Sequence, residues 1–374
     1  MADQIDKAKD VLHGQTNIDH EYLPIAGSAQ YLDLASDLLF GKGSYLEESS
    51  CSIQTISGTG ANHLGAIFLS QHLKPETVWI SDPTWSNHHL IWEVGAPGVS
   101  RKTYPYYRAA DRSFDIDGML STLEAEAVEN DVIMLHACAH NPTGLDPTRD
   151  QWRAIAALVT RKRLFVFFDA AYQGFASGDP EEDAWAVRYF HRLLLSTSEV
   201  GLVGLCVAQS FSKSFGLYGE RAGAYHLVLP SGSSYTGAQS QLLRLVRAEI
   251  SNPPLFGARI VHTILSTPEL QVQWKKDLET MSHRIKQMRH LLRGQIEVHP
   301  DAGDWSHLES QIGMFSYTGL STQQVARLRA KHHVYLMSNG RASLSGVSPV
   351  NVSYIAQAFV EVIRWARSAT SHCQ

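Results

Sequence analysis

Cysteine is scarce in this chain: four are present in 374 residues, and no two have the spacing of a C-x-x-C motif. Small secreted domains that depend on disulfides carry a much denser set of cysteines. We therefore expect an intracellular protein in which all four cysteines are reduced thiols, namely Cys51, Cys138, Cys206 and Cys373.

Long hydrophobic runs are also missing, because no stretch approaches the roughly 20 apolar residues of a membrane helix. The first ten residues, MADQIDKAKD, contain no apolar signal core. They carry acidic residues as well, unlike an organelle transit peptide. These features predict a cytoplasmic protein that makes no contact with a membrane.

Charge of one sign is not in large excess, since 32 basic and 37 acidic residues give a formal net charge of −5. This mild balance gives no electrostatic reason to expect nucleic acid or an anionic membrane as a partner. The histidine pairs, His88 with His89 and His136 with His140, are not joined by Cys or acidic residues at metal-ligand spacing. The sequence therefore predicts no nucleic-acid partner and no metal site.

The chain does contain a large apolar fraction, 44% of its residues, with 18% charged. This is ample for a packed core, and the length favours roughly two domains. Apolar runs such as residues 164–168 and 201–208 are typical of strands buried on both faces. They alternate with helical periodicity, for example over residues 3–13 and 28–40. This order predicts an α/β fold with a mostly parallel central sheet flanked by helices.

The last part of the chain predicts a second, smaller unit. Residues 268–292 have the pattern of a long charged helix that leads into it. The predicted boundary lies within this helix: residues 1–275 form the large domain, and residues 276–374 form the small C-terminal domain. The small C-terminal α/β domain is predicted to hold strands near 313–317 and at 334–337, and helices over 321–331 and 351–367.

One lysine, Lys213, stands just past the apolar run 201–208 and is flanked by hydroxyl residues and Gly216. A lysine at the end of a buried strand either extends its ammonium to water or forms a Schiff base with a carbonyl. Ser210 and Arg221 bracket it with a hydroxyl and a fixed cation that suit a phosphate dianion. This combination indicates pyridoxal 5′-phosphate (PLP). Spacing alone leaves a surface lysine in a loop as the alternative.

A glycine-rich turn, formed by Ser57, Gly58, Thr59 and Gly60, follows the strand-like residues 53–56 and precedes a helical pattern. Backbone N–H groups at a helix N-terminus point outward, and the helix dipole favours an anion there. Glycines at the start of a helix are often only turn residues, so this motif is weak by itself. Together with Ser210 and Arg221, this turn would complete a phosphate site.

Several side chains that could bind or react with a ligand come directly after predicted strands. In open parallel α/β sheets, ligands bind at this edge of the sheet. Trp85 could stack on a flat ring, or it could be a core tryptophan. Asp169 is either the partner of a protonated pyridine nitrogen or a helix N-cap. Pro142 and Gly144 fix the turn that holds Asn141. The order of the elements predicts that five residues converge: Trp85, Asn141, Asp169, Tyr172 and Lys213.

Read together, these segments closely resemble the aspartate aminotransferase family over nearly the whole chain, from about Tyr22 to the last helix. The resemblance implies PLP fold type I and PLP-dependent transamination. It is carried by EYLPI (21–25), SGTGA (57–61), DPTWSNH (82–88), HACAHNPTG (136–144), SFSKSFGLYGERAG (210–223), SNPP (251–254) and SNGR (338–341).

By this resemblance Lys213 is the Schiff-base lysine, and Asp169 binds the ring nitrogen of the cofactor with His88 behind it. Asn141 and Tyr172 bind the phenolic oxygen. Lys213, Asp169 and Tyr172 are therefore the predicted catalytic residues. The remaining cofactor contacts implied by the family are a ring-stacking Trp85 and a phosphate site formed by Ser57, Gly58, Thr59, Ser210, Arg221 and the Tyr22 of a neighbouring subunit.

The resemblance also implies how substrate is bound. Arg341 would bind the α-carboxylate, beside Trp85 and Asn141. Arg247 matches an arginine that reaches from the neighbouring subunit to the side-chain carboxylate. Two arginine forks are a physical reason for dicarboxylic substrates. Because Tyr22 and Arg247 are useful only across an interface, a homodimer with shared active sites is expected.

One departure concerns the start of the chain. Family members begin with a longer segment, which includes an arm around the partner subunit and a loop that closes over substrate, and this sequence begins after both. Smaller departures are Gly219, Ala222 and the pair Asn62 and His63. Because lid closure excludes water and completes the site in many enzymes, we expect a chain without this loop to have lower activity, altered specificity or an enlarged pocket.

The predicted function is therefore a ping-pong aminotransferase that moves an amino group between an amino acid, aspartate-like or glutamate-like, and a 2-oxo acid. Two alternatives remain open at this point. One is a PLP enzyme with a different substrate or reaction: aromatic transamination, elimination or decarboxylation. The other is a catalytically silent, truncated paralogue that binds the cofactor or pairs with a full-length partner.

Overall fold

The apolar runs of the sequence form the inner strands of a seven-stranded sheet. The structure, a computed structural model, describes residues 2–14, 20–43, 50–196, 202–230 and 233–371. Within these ranges the strands are β1 Ser50–Ile56, β2 Thr77–Asp82, β3 Ser100–Pro105, β4 Tyr107–Arg108, β5 Ser113–Phe114, β6 Val132–His136, β7 Phe165–Ala170, β8 Gly204–Ser210, β9 Ala222–Val228, β10 Phe315–Tyr317 and β11 Arg341–Ser343.

Helices follow most of the strands and cover the faces of the sheet. In the described ranges they are α1 Ala2–His13, α2 Ala29–Phe40, α3 Ser57–His72, α4 Asn87–Gly95, α5 Ile116–Glu126, α6 Arg149–Arg161, α7 Pro180–Asp183, α8 Trp185–Ser196, α9 Tyr235–Glu249, α10 Phe256–Ser266, α11 Pro268–Glu297, α12 His307–Ser310, α13 Thr322–His332 and α14 Val352–Ser371. No helix in this part of the chain is both long enough and apolar enough to cross a membrane.

The large sheet has the strand order β1-β9-β8-β7-β6-β2-β3. Strands β2, β3, β6, β7 and β8 pair in parallel, and β9 runs antiparallel to both β1 and β8. The predicted α/β fold with a mostly parallel central sheet is confirmed. Parallel strands need helical crossovers, which explains why both faces of the sheet are covered.

Side chains of the central strand β7 alternate between two apolar layers. Val166 and Phe168 pack with the layer that includes α5, α6 and α8. Phe165 and Phe167 face the opposite layer, which includes α3, α4 and α9. The period of two residues that is characteristic of strands thus sends a continuous apolar run into both layers. The polar side chains of this part of the chain come only at the carboxyl end of β7.

The C-terminal part packs on α11, a single helix of 30 residues. Strands β10 and β11 form a separate two-stranded antiparallel sheet, while α14 packs on α11 and α13 packs on α14. The predicted boundary between residues 275 and 276 lies within α11. A third apolar cluster joins this part to α1, α2 and α10.

The strand predicted at Val334–Met337 is wrong: these residues form no strand, and β11 begins later, at Arg341. The alternation that suggested a strand is real, since Leu336 is buried while Tyr335 and Met337 are more than half exposed. A strand also requires a hydrogen-bonded neighbour, and the β10–β11 ladder places Tyr317 opposite Arg341. The extended segment before this ladder therefore remains outside the sheet.

Three of the four cysteines lie in the described ranges, and all three are buried and free of disulfides. Cys206 lies in β8, Cys51 lies in β1, and Cys138 follows β6. Cys373 lies outside the described residues.

Candidate active site

A cavity of about 310 Å³ lies at the carboxyl ends of β6, β7 and β8 and beside the first turn of α3. This is the edge at which the sequence predicted a ligand site. Its volume lies at the lower end of the range of about 300–1,000 Å³ for small-molecule sites. The residues around it are Ser57, Gly58, Thr59, Trp85, His136, Asn141, Asp169, Ala171, Tyr172, Ser210, Ser212, Lys213, Tyr218, Arg221, Phe315 and Arg341.

One end of the cavity collects hydroxyl groups and a guanidinium. The Ser57 hydroxyl shares hydrogen bonds with the hydroxyls of Ser210 (2.9 Å) and Ser212 (2.8 Å). Arg221 donates from Nη1 to the Ser212 hydroxyl at 3.3 Å. Helix α3 starts here, and Ile56, which precedes it, offers no side-chain cap to the first N–H groups. Free N–H groups, hydroxyls and a fixed cation together form a site for a phosphate dianion.

The close packing of β9 against α3 shapes this end of the cavity. A Cβ atom on Gly223 would lie 2.6 Å from both the Gln209 carbonyl oxygen and the Ser57 Cα. Only glycine permits the two backbones to approach so closely. Ser57 and Arg221 also have positive φ angles, 61° and 54°, which are uncommon outside glycine. The phosphate end is therefore built from backbone that is held in place by its surroundings.

Lys213 follows β8 and lines the cavity. Its Nζ atom lies 5.0 Å from the centre of the Tyr172 ring. Burial lowers the pKa of the Lys213 ammonium, and the carboxylate of Asp169 opposes that shift. A lysine amine with a lowered pKa is available as a nucleophile or as a base.

Asp169 lies near the end of β7 with 7% of its surface exposed. Its Oδ2 atom accepts a hydrogen bond from His88 Nε2 at 3.0 Å. Burial by itself raises the pKa of the Asp169 carboxyl, but the His88 hydrogen bond and the charge of Lys213 bring it below its ordinary value. Asp169 is therefore a buried carboxylate that stays ionised, which is costly unless a cation or donor faces it.

A chain of hydrogen bonds leads to Asp169 from behind. The Asn141 N–H donates to Nδ1 of His136 at 3.4 Å, which leaves the proton of the neutral ring on Nε2. That nitrogen is 3.3 Å from the Thr84 hydroxyl, which is 2.9 Å from His88 Nδ1. Burial lowers the pKa of His136 well below its ordinary value, so the ring is neutral at pH 7. Every N–H and O–H in this series of hydrogen bonds can then point toward Asp169.

Arg341 also lines the cavity. Its Nη1 donates to the side-chain oxygen of Asn141 at 2.9 Å, and its guanidinium carbon lies 4.4 Å from the centre of the Phe315 ring. Tyr172 faces the same ring edge-on, at 6.2 Å between centroids. Burial raises the pKa of the Tyr172 hydroxyl, which keeps its proton at pH 7. Arg341, Asn141 and Tyr172 thus present a guanidinium fork, an amide and a phenol.

The cavity brings together most of the residues predicted from sequence. These are Ser57, Gly58, Thr59, Trp85, Asn141, Asp169, Tyr172, Ser210, Lys213, Arg221 and Arg341. Tyr22 and Arg247 do not line it. Tyr22 lies on a loop with 79% of its surface exposed, and Arg247 is exposed at the end of α9, where it donates to the Ser251 hydroxyl at 2.6 Å.

Sequence reasoning missed several lining residues. His136 was considered only as a metal ligand, yet it lies directly opposite Asp169 in the β6–β7 register, which was a usable signal. Ser212 stands between the predicted Ser210 and Lys213, which is also a usable signal. Phe315 comes from β10, more than one hundred residues further along the chain. No local pattern connects it to the site.

The donor set fits PLP. An uncapped helix start with hydroxyls and a guanidinium suits its phosphate, the buried carboxylate of Asp169 suits a protonated pyridine nitrogen, and the amine of Lys213 lines the same cavity. In the described part of the chain, no three His, Cys, Asp or Glu side chains are grouped as they would be around a metal ion.

Comparison with known proteins agrees with this chemistry. The family model described as "Aminotransferase class I and II" matches residues 1–359. An L-tyrosine:2-oxoglutarate aminotransferase of Aspergillus ustus is 47% identical over 96% of this chain and 69% of its own length. The cytoplasmic aspartate aminotransferase of Schizosaccharomyces pombe is 45% identical over 96% of this chain and 87% of its own.

Solved structures agree as well. The cytoplasmic aspartate aminotransferase of Saccharomyces cerevisiae superposes with a TM-score of 0.92 at 42% identity, covering 97% of this chain and 87% of that one. An aromatic-amino-acid aminotransferase of Burkholderia pseudomallei, solved with covalently bound pyridoxal phosphate, superposes with a TM-score of 0.89 at 37% identity over 96% of this chain and 88% of that one. The resemblance drawn from the motifs is thus confirmed, and this protein belongs to the class I and II aminotransferase family.

Proposed function

We propose that this protein transfers the amino group of a dicarboxylic amino acid, aspartate or glutamate, to a 2-oxo acid. The prediction of a PLP-dependent aminotransferase is confirmed at the level of the family. The residue roles and the substrate class are our proposal. The observation that carries it is one cavity lined by Lys213, Asp169 and Arg341 together with the hydroxyls and guanidinium of the proposed phosphate site.

When bound, PLP carries the amino group covalently and withdraws electrons from the α-carbon of the substrate. The amine of Lys213 takes the α-proton and returns it, acting as base and then as acid through Nζ. The carboxylate of Asp169 keeps a proton on the ring nitrogen, and the His88 hydrogen bond keeps Asp169 ionised. Trp85 would lie against the flat face of the ring.

Binding is divided between the two ends of the cavity. Ser57, Gly58, Thr59, Ser210 and Arg221 would hold the phosphate, with Ser57 as the centre of the hydroxyl network. At the other end, Asn141 and Tyr172 would contact the phenolic oxygen, and Arg341 would bind the α-carboxylate through its fork of donors.

The dicarboxylic preference rests on a second arginine. Arg247 is exposed and does not line the cavity of its own chain, so we propose that it reaches the site of a second copy and binds the distal carboxylate. Tyr22, exposed on its loop, would likewise reach the partner's phosphate. The proposed assembly is therefore a homodimer with shared active sites.

An aromatic amino acid is the second candidate substrate. The relative from Aspergillus ustus is named for tyrosine, and two of the similar solved structures are named for aromatic amino acids. The names of the yeast relatives support the dicarboxylic candidate, and they also support our proposal of a cytoplasmic location.

We further propose a division into residues 1–275 and 276–374, supported by the packing of α12 and α14 on α11.

The testing experiment is an absorbance titration of the purified holoenzyme with aspartate, glutamate and tyrosine. We expect aspartate and glutamate to convert the cofactor from its aldehyde form to its amine form, with a single hyperbolic dependence on concentration. Conversion by tyrosine alone would favour the aromatic candidate. A bound cofactor that none of the three converts would contradict transamination of these substrates.

Two variants test the residue roles. Lys213→Ala should still bind the cofactor through the phosphate end but should no longer convert it to the amine form, and a wild-type rate in this variant would contradict the role of Lys213.

Arg247→Leu should lose affinity for aspartate while it keeps affinity for tyrosine. If aspartate conversion is unaffected, Arg247 does not bind the distal carboxylate.

A further inference from the structure

Arg289 is a buried arginine in the middle of α11, with 2% of its surface exposed. Within the described ranges it forms no ion pair with a carboxylate. Its guanidinium donates instead to three backbone carbonyls: Leu308 at 3.0 Å, Gly313 at 3.0 Å and Phe315. Burying a charge without a counter-ion is costly, and these hydrogen bonds from Nη1 and Nη2 offset part of that cost. Within the described ranges the Nε atom of Arg289 is buried without a hydrogen-bond partner.

Arginine suits this place because of its shape. A planar guanidinium presents several N–H donors in a fixed fork, whereas a lysine ammonium is a compact charge on a flexible stem. The three accepting carbonyls lie along one stretch: Leu308 in α12, Phe315 at the start of β10, and Gly313 in the segment that connects the two. That segment includes Gly313 with a φ of 75°, so it is a turn that no regular helix or strand stabilises. Arg289 replaces the missing backbone partners and holds the turn to α11.

The turn held by Arg289 leads into Phe315, whose aromatic ring contacts the arginine of the proposed carboxylate site. Phe315 lies with its ring under Arg341, 4.4 Å from the guanidinium carbon. Its carbonyl is one of the three that Arg289 binds. A cation over an aromatic face is favourable only while the ring keeps its place and orientation. The Phe315 ring therefore connects Arg289 with Arg341.

The same turn also touches the loop that carries Asn141. The Ile312 N–H donates to the Gly144 carbonyl at 2.7 Å. A Cβ atom on Gly144 would lie 2.8 Å from the Phe315 carbonyl, so the two backbones are in close contact. Asn141 in turn accepts from Arg341. Both groups that fix the guanidinium of Arg341, an amide and a ring, thus depend on one turn.

We propose that Arg289 is a positioning residue for recognition of the substrate's α-carboxylate. It holds the turn at Gly313 and Phe315, and that turn sets the orientation of Arg341. This inference rests on the proposed role of Arg341 and adds a residue that contacts neither substrate nor cofactor.

The test compares Arg289→Met and Arg289→Lys with the wild-type holoenzyme in the half-reaction with aspartate. The half-saturating concentration of aspartate should rise about 10- to 100-fold in Arg289→Met, because a small displacement of a binding group has effects of this size. The rate at saturation should stay within about threefold, since Lys213 and Asp169 are untouched. Arg289→Lys should fall between the two, because it keeps the charge and part of the hydrogen bonding.

The matched control is Arg293→Met, one helical turn further along α11. Arg293 is paired with Glu297 and Glu309 on the surface. Its substitution should leave the half-saturating concentration and the saturated rate unchanged. The absorbance spectrum of the bound cofactor should match the wild type in all of these variants. A general loss of folding would instead lower cofactor content and saturated rate together.

Phe315→Leu keeps the test decisive if Arg289→Met does not fold. It removes the ring under Arg341 and leaves the carbonyl that Arg289 binds. The same loss of aspartate affinity is expected, and Phe315→Leu combined with Arg289→Lys should cost less than the sum of the two changes. Wild-type affinity in Phe315→Leu, or in a folded Arg289→Met, would overturn the proposal.

Arg341→Lys separates this inference from the proposed function. If Arg341→Lys loses aspartate affinity while the Arg289 variants keep it, only the role of Arg289 is wrong. If Arg341→Lys also keeps wild-type affinity, the α-carboxylate is bound elsewhere, and the proposed function loses its carboxylate site as well.

Discussion

At the scale of single residues, the ionisation of Asp169 depends on His88 and Thr84, which do not line the cavity. Its carboxylate is buried, and a lone buried carboxylate takes up a proton readily. His88 opposes this by donating from Nε2, and in the neutral ring that tautomer leaves Nδ1 to accept from the Thr84 hydroxyl. The side chain of Thr84 thus selects the tautomer of His88.

Thr84→Val should lower the half-reaction rate about 3- to 10-fold, the effect of one hydrogen bond of about 1 kcal/mol. Valine matches the shape of threonine and removes the hydroxyl, so His88 loses the partner that fixes its tautomer. The measurement is the saturated rate of aspartate conversion as a function of pH. Thr84→Ser restores the hydroxyl and should restore the rate. Equal rates in Thr84→Val and Thr84→Ser would mean that the relay does not matter.

Gly223 and Gly219, four residues apart, should respond in opposite ways to alanine. A Cβ on Gly223 would meet backbone atoms of Gln209 and Ser57 at 2.6 Å, and these cannot move independently. Gly223→Ala should therefore destabilise the protein by about 1–3 kcal/mol, as overpacking does, and weaken its affinity for PLP. Gly219 has no atom within 4 Å of its Cβ position, so Gly219→Ala should change stability by less than about 0.5 kcal/mol. Thermal unfolding and PLP titration compare the two. Similar behaviour of both would contradict this account.

At the scale of elements, the sequence predicted the central strands β7 and β8 because they are nearly continuous apolar runs, whereas the polar edge strand β3 and the antiparallel strand β9 were not predicted. Strand β7 is buried along its whole length, and such a run has few alternatives. The helices α1 and α2 followed from helical periodicity. The error at Val334–Met337 arose because exposure alternates there without a pairing strand. A single sequence carries the alternation but not the identity of the hydrogen-bonded neighbour.

The site was predictable as far as it depends on strand ends. Asp169 and Lys213 follow apolar runs, and the carboxyl ends of parallel strands meet at one edge. Phe315 and Arg289 could not be found this way. Phe315 comes from a three-residue strand in a separate sheet, and Arg289 resembles any arginine of a charged helix until its burial is known.

His226 joins three strands of the sheet. From β9 it contacts the Ser52 hydroxyl of β1 at 2.7 Å and the Gln209 side-chain oxygen of β8 at 2.9 Å. Burial lowers the pKa of His226 to about 3. The unfolded chain has an ordinary histidine pKa of about 6.5, so between these values it binds a proton that the folded state does not. Stability therefore falls as the pH drops below about 6.5.

His226→Gln should make the protein less sensitive to acid. This one histidine contributes about 1.4 kcal/mol of lost stability per pH unit below 6.5, which is about 2 kcal/mol at pH 5. The measurement is the free energy of unfolding in urea at pH 7 and pH 5, and the difference between the two should shrink in the variant. His283→Gln, an exposed change on α11, is the control and should leave the difference unchanged. The same acid loss in His226→Gln and wild type would refute the assignment.

At the scale of the whole molecule, the two arginines of the proposed substrate site lie in different places. Arg341 lines the cavity, and Arg247 is exposed at the end of α9 with Ser251 as its partner. If Arg247 serves a site, that site belongs to another copy of the chain. Homodimers with two-fold symmetry place the same surface patch of each subunit against the other, so two such sites would form at once.

Mixed dimers test this arrangement directly. Lys213→Ala and Arg247→Leu should each have little activity toward aspartate as homodimers. In a mixed dimer, the Arg247→Leu subunit keeps Lys213 in its cavity and receives an intact Arg247 from its partner. Unfolding and refolding the two variants together should therefore recover about one quarter of wild-type activity, because half of the dimers are mixed and one of their two sites is complete. If Arg247 served the cavity of its own chain, mixing would recover nothing. The control pairs Lys213→Ala with Arg341→Lys, two residues that line one cavity of one chain, so no complete site can form and no activity should return.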